Sequence, residues 1–303
     1  MMRDVPFVTV DVFTDRRFAG NPLAVILDAR ELSDGEMQQI AREFGYSETT
    51  FVLPPQDPAN TANVRIFTPT TEVPFAGHPN VGTAFALGNL GSLFGSPIGT
   101  QLRFEEKAGL VEIELARDGA RVTGATIQAP GPLTVGSTVP PPELAPCISL
   151  NAEDLETRHH APVFASVGLK FILVEVKDLA VLARAAPRLE PLAVLHEAYA
   201  HEEADCAIFL YAWVGSNHVR ARMFAPLDNV PEDPATGSAS AALGAYLASL
   251  DAETRDRHLL VEQGVEMGRR SLIHVDVETK AGRFERVRIT GACVEVMRGT
   301  ISL

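Results

Sequence analysis

Cysteine is scarce in this chain, and its thiols are not arranged as in a disulfide-rich domain. The 303 residues include only Cys147, Cys206 and Cys293, and no CxxC pair occurs. An odd and widely spaced set of cysteines predicts no disulfide framework. We therefore expect free thiols and a reducing compartment, for which the cytoplasm is the simplest choice.

Basic residues are outnumbered, and long apolar runs are missing. Lysine and arginine total 26 against 39 aspartates and glutamates, which gives a formal net charge of −13. The resulting field repels phosphate backbones and anionic membranes, so no nucleic-acid partner is expected. No apolar run approaches the roughly 20 residues of a membrane-spanning helix, so no membrane partner is expected either. The composition, 46% apolar and 21% charged, is that of a globular domain.

Short β-branched and apolar runs dominate the chain, with fewer helical patterns between them. The sequence S-D-G-E from Ser33 is a capping box ahead of a helix over Met37–Phe44, and Gly45 is a suitable stop. Two further helices are predicted over Asn80–Leu90 and Ala239–Leu250. Strands are predicted at 7–13, 23–27, 47–53 and 63–69, and again in the second half of the chain. The class is mixed α and β, with more strand than helix.

An internal repeat underlies these elements. RIFTP at 65–69 matches RMFAP at 222–226, and Val-Pro follows at the same offset in both copies. After a slip of two residues, HPNVGTA at 78–84 matches DPATGSA at 233–239. Two matches in the same order indicate two copies of one unit. The proline- and glycine-rich stretch 129–146 is typical of a crossing between domains.

The repeat places a polar residue before a proline and a helix in each copy. Proline suits the first turn of a helix, so Asp233 is expected at an N-cap and His78 at the equivalent position. Unpaired N–H groups at a helix N-terminus attract anions. If the two copies face each other about a pseudo-two-fold axis, both termini would converge on one carboxylate. Each residue taken alone is better explained as structural, and only the paired placement favours a site.

Several motifs resemble the PhzF-like family of phenazine biosynthesis. The resemblance runs from near residue 7 to near residue 299. It is specific as an ordered set, although any single motif would be weak. The motifs are DVFT (11–14), GNPLAV (20–25), SETTF (47–51), PFAGHP (74–79), EDPATGSA (232–239), QG (263–264) and MGR (267–269).

The resemblance implies a diaminopimelate-epimerase-like α+β fold. Each of two pseudo-two-fold-related halves would be a curved, mostly antiparallel sheet around a central helix. We expect the first half at 1–118, with the C-terminal strands 288–303 joining it, and the second half at 119–287. The resemblance also implies an active site between the halves, a homodimer, and isomerase chemistry on a small carboxylate without metal or organic cofactor.

The resemblance also assigns site residues. Glu48 would be the acid/base glutamate, with His78 and Asp233 as the other catalytic residues. Gly77, Gly237 and Ser238 would contact the substrate from the helix N-termini. A carboxyl group that both takes and returns a proton works best when burial brings its pKa towards ambient pH. The sequence pattern alone would leave Glu48 an exposed residue at a strand edge.

Two alternatives remain open at this point. One is an amino-acid racemase or epimerase, although the cysteine pair used by such enzymes has no counterpart at these positions. The other is a binding protein for small carboxylates that has no turnover. The remaining histidines predict no metal site: His159 and His160 read as a solvated loop, and His196 and His201 are poorly spaced for one helix face.

Overall fold

A computed structural model of the protein describes residues 3–251, 256–280 and 283–303. The chain divides into two compact units. Unit 1 comprises Met1–Gln128 and Thr290–Leu303, and unit 2 comprises Ala129–Ile289. The first boundary between the units therefore lies beyond the expected position at residue 118, because the strand 121–128 pairs with the strand before it. The proline- and glycine-rich stretch belongs to unit 2 and contains a strand of its own.

Unit 1 is built from strands with two helices. The capping box at Ser33 is present, and Gly45 ends the first helix in the left-handed conformation with φ 64°, so this local prediction is confirmed. The helices are α1 (Asp34–Phe44) and α2 (Gly77–Leu90). The strands are β1 (Asp4–Val12), β2 (Asn21–Ile26), β3 (Glu48–Leu53), β4 (Ala62–Phe67), β5 (Glu72–Val73), β6 (Ser92–Leu93), β7 (Ser96–Pro97), β8 (Gln101–Glu106), β9 (Gly109–Asp118) and β10 (Arg121–Gln128).

The sheet of unit 1 surrounds α2. Its neighbours run β1-β2-β3-β4-β8-β9-β10, and the last strand of the chain pairs with both β1 and β10. Two of these pairings, β2–β3 and β4–β8, are parallel, and the others that join this order are antiparallel. Nearly every residue of α2 is buried. A Cβ at Gly82 would meet Leu23 at 2.6 Å and Val12 at 2.7 Å, so the helix lies against β1 and β2.

Unit 2 carries the second set of elements. Its helices are α3 (Pro141–Leu144), α4 (Leu179–Arg184), α5 (Leu189–Ala198) and α6 (Gly237–Leu250). Its strands are β11 (Thr134–Thr138), β12 (Val163–Ser166), β13 (Lys170–Glu175), β14 (Ile208–Gly215), β15 (His218–Ala225), β16 (Val230–Asp233), β17 (Arg257–Gln263) and β18 (Ser271–Lys280). The final strand β19 (Arg283–Ser302) begins in unit 2 and ends in unit 1. No helix among the described residues is long and apolar enough to span a bilayer.

The two units repeat one topology. The order β1-β2-β3-β4-β8-β9 alternates antiparallel and parallel pairings. The order β12-β13-β14-β15-β17-β18 has the same alternation. Each unit also places a 14-residue helix, α2 or α6, after a short strand that pairs back on its neighbour. The repeat seen in the sequence is therefore a repeat of structure, and the mixed α/β fold is confirmed.

An arginine fork marks the same point in both copies. Arg65 donates two hydrogen bonds of 2.8 Å to Glu72, and Arg222 donates two of 2.8 Å to Glu232. Such bidentate pairs fix both distance and orientation. They tie the strand that precedes each turn to the short strand that leads into the helix.

The helix starts differ from the sequence prediction. Asp233 is not an N-cap: it ends β16 and pairs with Met223, and the N-cap of α6 is Thr236. His78 is not an N-cap either, because α2 begins at Gly77. Counted from the helix starts, His78 corresponds to Ser238. The cause is a long-range contact, since the Gln263 amide bonds across the turn that precedes α6.

Candidate active site

Glu48 is the first residue of β3, and it lies opposite Leu23 of the parallel strand β2. The parallel pairing covers one side of the residue. Its side chain keeps 19% of its exposed area, so it is partly buried instead of projecting from a free edge. Two residues further along the strand, the hydroxyl of Thr50 hydrogen-bonds to that of Thr83 on α2 at 2.8 Å. This buried contact fixes the helix against the strand that carries Glu48.

His78 lies close to Glu48 at the end of a hydrogen-bonded chain. Ser47 Oγ donates to Asn21 Oδ1 at 3.2 Å, and Asn21 Nδ2 lies 3.4 Å from His78 Nδ1. Because the amide oxygen accepts from serine, its NH₂ group faces the ring and donates to Nδ1. The ring proton then belongs on Nε2, which lies 3.5 Å from Glu48 Oε2. Ser47 and Asn21 thus set the tautomer of the histidine.

Burial keeps His78 neutral. Its side chain is only 6% exposed, and this burial lowers the pKa of the imidazole from 6.5 to about 3. The contact with Glu48 is therefore not an ion pair at neutral pH. His78 can donate a weak hydrogen bond from Nε2, but it cannot supply an imidazolium proton.

We expect His78 to reduce stability in acid. Between pH 6.5 and 3 the unfolded chain binds a proton at this position and the folded chain does not. Stability should thus fall as the pH falls below 6.5, with a limiting slope of about 1.4 kcal/mol per pH unit. Urea denaturation from pH 7.5 to 5 should show this slope reduced in His78→Asn. The matched control is His201→Asn, at a residue whose side chain is 62% exposed. Equal slopes in the wild type and His78→Asn would contradict the prediction.

The N-terminus of α2 is electropositive and carries no side-chain cap. Its first turn has no acidic residue, and the N-cap Ala76 has no side chain able to cap it. Gly77 and His78 are its first two residues. A terminus of this kind attracts an anionic group through its N–H groups and the helix dipole.

Unit 2 holds Asp233 in a buried polar turn. Asp233 is 7% exposed, and its Oδ2 accepts a hydrogen bond of 2.5 Å from the Thr236 hydroxyl. The fully buried Gln263 donates from Nε2 to the Asp233 carbonyl at 2.8 Å and accepts from the Thr236 N–H at 2.9 Å. Gly237 and Ser238 then begin α6, which also lacks an acidic first turn. This turn fixes the Asp233 carboxylate beside a second electropositive terminus.

Of the residues expected from the sequence, unit 1 brings together Glu48, Gly77 and His78. Unit 2 brings together Asp233, Gly237 and Ser238. Sequence reasoning gave no role to the amides Asn21 and Gln263 or to the hydroxyls Ser47 and Thr236 that support them. Both amides lie within motifs of the resemblance, which is the one signal that could have identified them.

The thiols take no part in either arrangement. All three cysteines are buried, as expected for Cys206 and Cys293. Burial raises the pKa of the Cys147 and Cys206 thiols to about 11 and raises that of Cys293 further. Such thiols are poor proton acceptors at neutral pH. Among the described residues, no cluster of three or more His, Cys, Asp or Glu side chains forms a metal site.

One histidine pair differs from the prediction of a solvated loop. His159 is exposed, but His160 is 7% exposed and belongs to a buried network. His160 Nδ1 lies 2.7 Å from the Ala161 carbonyl, and its Nε2 lies 2.7 Å from the Tyr211 hydroxyl. That hydroxyl lies 3.0 Å from Glu175, whose carboxyl group also contacts His159 Nδ1 at 2.8 Å. The aromatic side chains of Tyr211 and of Tyr246 on α6 bury the His160 ring.

Known proteins match this chain over nearly its whole length. The family described as phenazine biosynthesis-like proteins matches residues 10–299. An uncharacterised isomerase of Mesorhizobium japonicum is 38% identical, covering 97% of this chain and 98% of its own. The trans-2,3-dihydro-3-hydroxyanthranilate isomerase of Pseudomonas chlororaphis is 36% identical, with 98% and 99% covered. The crystal structure of a PhzF-family phenazine biosynthesis protein from Bacillus anthracis has a TM-score of 0.85, with 28% identity and 99% of each chain covered.

Proposed function

Since the chain belongs to the family of phenazine biosynthesis-like proteins and is an isomerase, we propose that it moves a proton within a small carboxylate. The reference substrate is trans-2,3-dihydro-3-hydroxyanthranilate, which the relative from Pseudomonas chlororaphis is named for. This substrate has an acidic C–H bond, a conjugated system and a carboxylate. The proposal therefore requires one proton acceptor that also returns the proton, together with an anion site.

The observation that carries the proposal is the arrangement of Glu48 beside a neutral His78. Nε2 of the imidazole faces Glu48 Oε2 at 3.5 Å, and Asn21 holds the ring in this tautomer at 3.4 Å. A neutral imidazole stabilises an ionised carboxylate less than an imidazolium would, so this neighbour lowers the proton affinity of the carboxylate less than a charged one. That affinity is what a residue that both removes and returns a carbon-bound proton needs.

We assign Glu48 the removal and the return of the proton. His78 offers its one N–H, on Nε2, either to the glutamate or to the substrate. Asp233, held by the Thr236 hydroxyl, orients the substrate amine or hydroxyl or shares the proton transfer. Gly77, with Gly237 and Ser238, contributes N–H groups of the two helix termini to substrate binding.

The chemistry of this step needs no redox or group-transfer agent. The proton leaves one carbon and returns to another, so the oxidation state of the molecule is unchanged. We therefore propose that the enzyme works without metal or organic cofactor. Turnover should be unaffected by prolonged dialysis against EDTA.

Proton NMR in deuterated water tests the proposal directly. We expect the protein to convert trans-2,3-dihydro-3-hydroxyanthranilate and to introduce deuterium at the carbon that receives the proton. Exchange at a single Cα with inversion, in a panel of amino acids, would indicate a racemase instead. Saturable binding with neither conversion nor label uptake would contradict the proposal.

We also propose that the protein works as a cytoplasmic homodimer. The resemblance to the PhzF-like family supports the dimer, and the three buried, unpaired cysteines suit a reducing compartment. Sedimentation velocity at micromolar concentration should give twice the mass of one chain. A concentration-independent monomer would contradict this assignment.

A further inference from the structure

Glu106 is a buried carboxyl group in unit 1 that the proposed reaction does not use. It is the last residue of β8, and the turn that follows is tied to the entrance of α2. The N–H of Ala108 donates to the carbonyl of Pro74 at 3.1 Å, three residues before the helix begins. Asn80 of α2 lies close enough to Glu106 to lower the pKa of that carboxyl group. The strand end and the first turn of the helix are therefore in direct contact.

Three polar atoms in this contact lack partners. Within residues 3–251, 256–280 and 283–303, both carboxyl oxygens of Glu106 and the side-chain oxygen of Asn80 are buried without a hydrogen bond. Asn80 is fully buried, and its NH₂ group donates to the Ala76 carbonyl at 3.0 Å. Leaving a buried acceptor unsatisfied is costly, so such groups in folded proteins almost always have partners.

If the carboxyl group of Glu106 carries a proton, it can form a hydrogen bond with the side-chain oxygen of Asn80. The resulting O–H donates to Asn80 Oδ1, and the Asn80 NH₂ group keeps its bond to Ala76. An ionised Glu106 has no proton to donate and repels the amide oxygen. The second N–H of the Asn80 amide can face the carboxylate in either state, so what ionisation leaves uncompensated is the amide oxygen Oδ1.

We propose that Glu106 is a positioning residue whose proton holds the Asn80 amide in place and thereby fixes the first turn of α2, which carries His78. The catalytic part of this inference rests on the proposed role of His78. Ala76, whose carbonyl is bonded to Asn80, is two residues before His78. Loss of the Glu106 proton removes the bond to Asn80 Oδ1, sets two acceptors against each other and loosens the helix start.

The physical setting of Glu106 supports this inference. Burial raises the pKa of its carboxyl group to about 8, with the Asn80 amide opposing the rise. The charged neighbours on the same turn are engaged elsewhere: Lys107 pairs with Glu72 of β5 at 2.5 Å, and Glu105 accepts from the 56–60 loop. The ionisable group on the facing turn of α2 is His78, which burial keeps neutral.

The pH dependence of kcat/KM distinguishes positioning from a merely structural role. Between pH 6.5 and 9.5 the wild type should lose about 30-fold of its kcat/KM, as expected for a required proton with a pKa of about 8. Glu106→Gln keeps a donor at all pH values, so its ratio between the two pH values should stay within about twofold. The matched control is Glu105→Gln on the same strand, which should retain the wild-type fall. An unchanged alkaline fall in Glu106→Gln would overturn the proposal.

A second measurement needs no substrate and separates this inference from the proposed function. In ¹⁵N-labelled wild-type protein, the side-chain NH₂ resonances of Asn80 should shift with a midpoint near pH 8. The same resonances should not titrate in that range in Glu106→Gln. Asn80 resonances that are independent of pH in the wild type would refute the contact, whatever the enzyme's substrate proves to be.

Discussion

Glu48→Gln should lower kcat by about 10²-fold to 10⁴-fold while leaving substrate affinity within a few-fold of the wild type. The amide has nearly the shape of the carboxyl group and can still face His78 Nε2 through its oxygen, at the place of the present 3.5 Å contact. It cannot accept a proton from carbon at any accessible pH. The loss should therefore fall on the chemical step and not on binding.

Single-turnover kinetics and equilibrium binding separate these two effects. Glu43→Gln, which removes an exposed carboxylate from the last turn of α1, is the matched control and should behave as the wild type does. Deuterium uptake from solvent into the product should disappear in Glu48→Gln alone. A kcat within a few-fold of the wild type would show that Glu48 is not the acid/base residue and would leave Asp233 as the candidate for that role.

Gly124→Ala should be strongly destabilising. A Cβ at this position would lie 2.0 Å from the Gly291 carbonyl oxygen and 2.9 Å from the Ala292 Cα. Both are backbone atoms of β19, which pairs with β10, so no side-chain rotation can relieve the clash. Overpacking typically costs about 1–3 kcal/mol, and a backbone clash belongs at or beyond the upper end of that range.

Urea denaturation of Gly124→Ala should therefore show a loss of about 3 kcal/mol or more, or no cooperative transition at all. Gly35→Ala provides the opposite control, because a Cβ there meets nothing within 4 Å and the residue lies in α1. That change should be neutral or stabilising by up to about 1 kcal/mol. A Gly124→Ala protein as stable as the wild type would mean that β10 and β19 can separate at little cost.

These two glycines illustrate where sequence reasoning succeeds and where it stops. Gly35 lies within the S-D-G-E pattern, whose capping box, helix and terminal Gly45 are all set by residues within one short segment. The start and end of α1 were thus predictable. Glycine is required at position 124 because of contacts with a strand that lies more than 160 residues away in the sequence. No local sequence pattern predicts such a contact.

The same distinction between local and long-range determinants applies to the candidate site. His78 is hydrogen-bonded to the amide of Asn21, which lies 57 residues before it in the chain. Asn21 is in turn bonded to Ser47, which lies 26 residues after it. The start of α6 depends on Gln263, which lies 27 residues beyond Thr236. For this reason the helix starts that were predicted from the prolines are wrong by a few residues in both copies. The candidate catalytic residues came from the family resemblance, and pattern alone would have passed over Glu48.

The buried network of unit 2 constrains how many protons the folded chain holds. The Ala161 carbonyl can only accept, so His160 Nδ1 must donate to it. If His160 is neutral, its Nε2 accepts from the Tyr211 hydroxyl, and the contact of that hydroxyl with Glu175 then needs a proton from the carboxyl group. If Glu175 is ionised, His160 must instead be a cation.

Either arrangement contains one proton more than a neutral histidine and an ionised glutamate provide. The two differ only by a concerted shift of two protons through the Tyr211 hydroxyl, with no heavy atom displaced. The direction of each hydrogen bond in this network is thus set by the location of a single proton, so the three side chains exchange their donor and acceptor roles together.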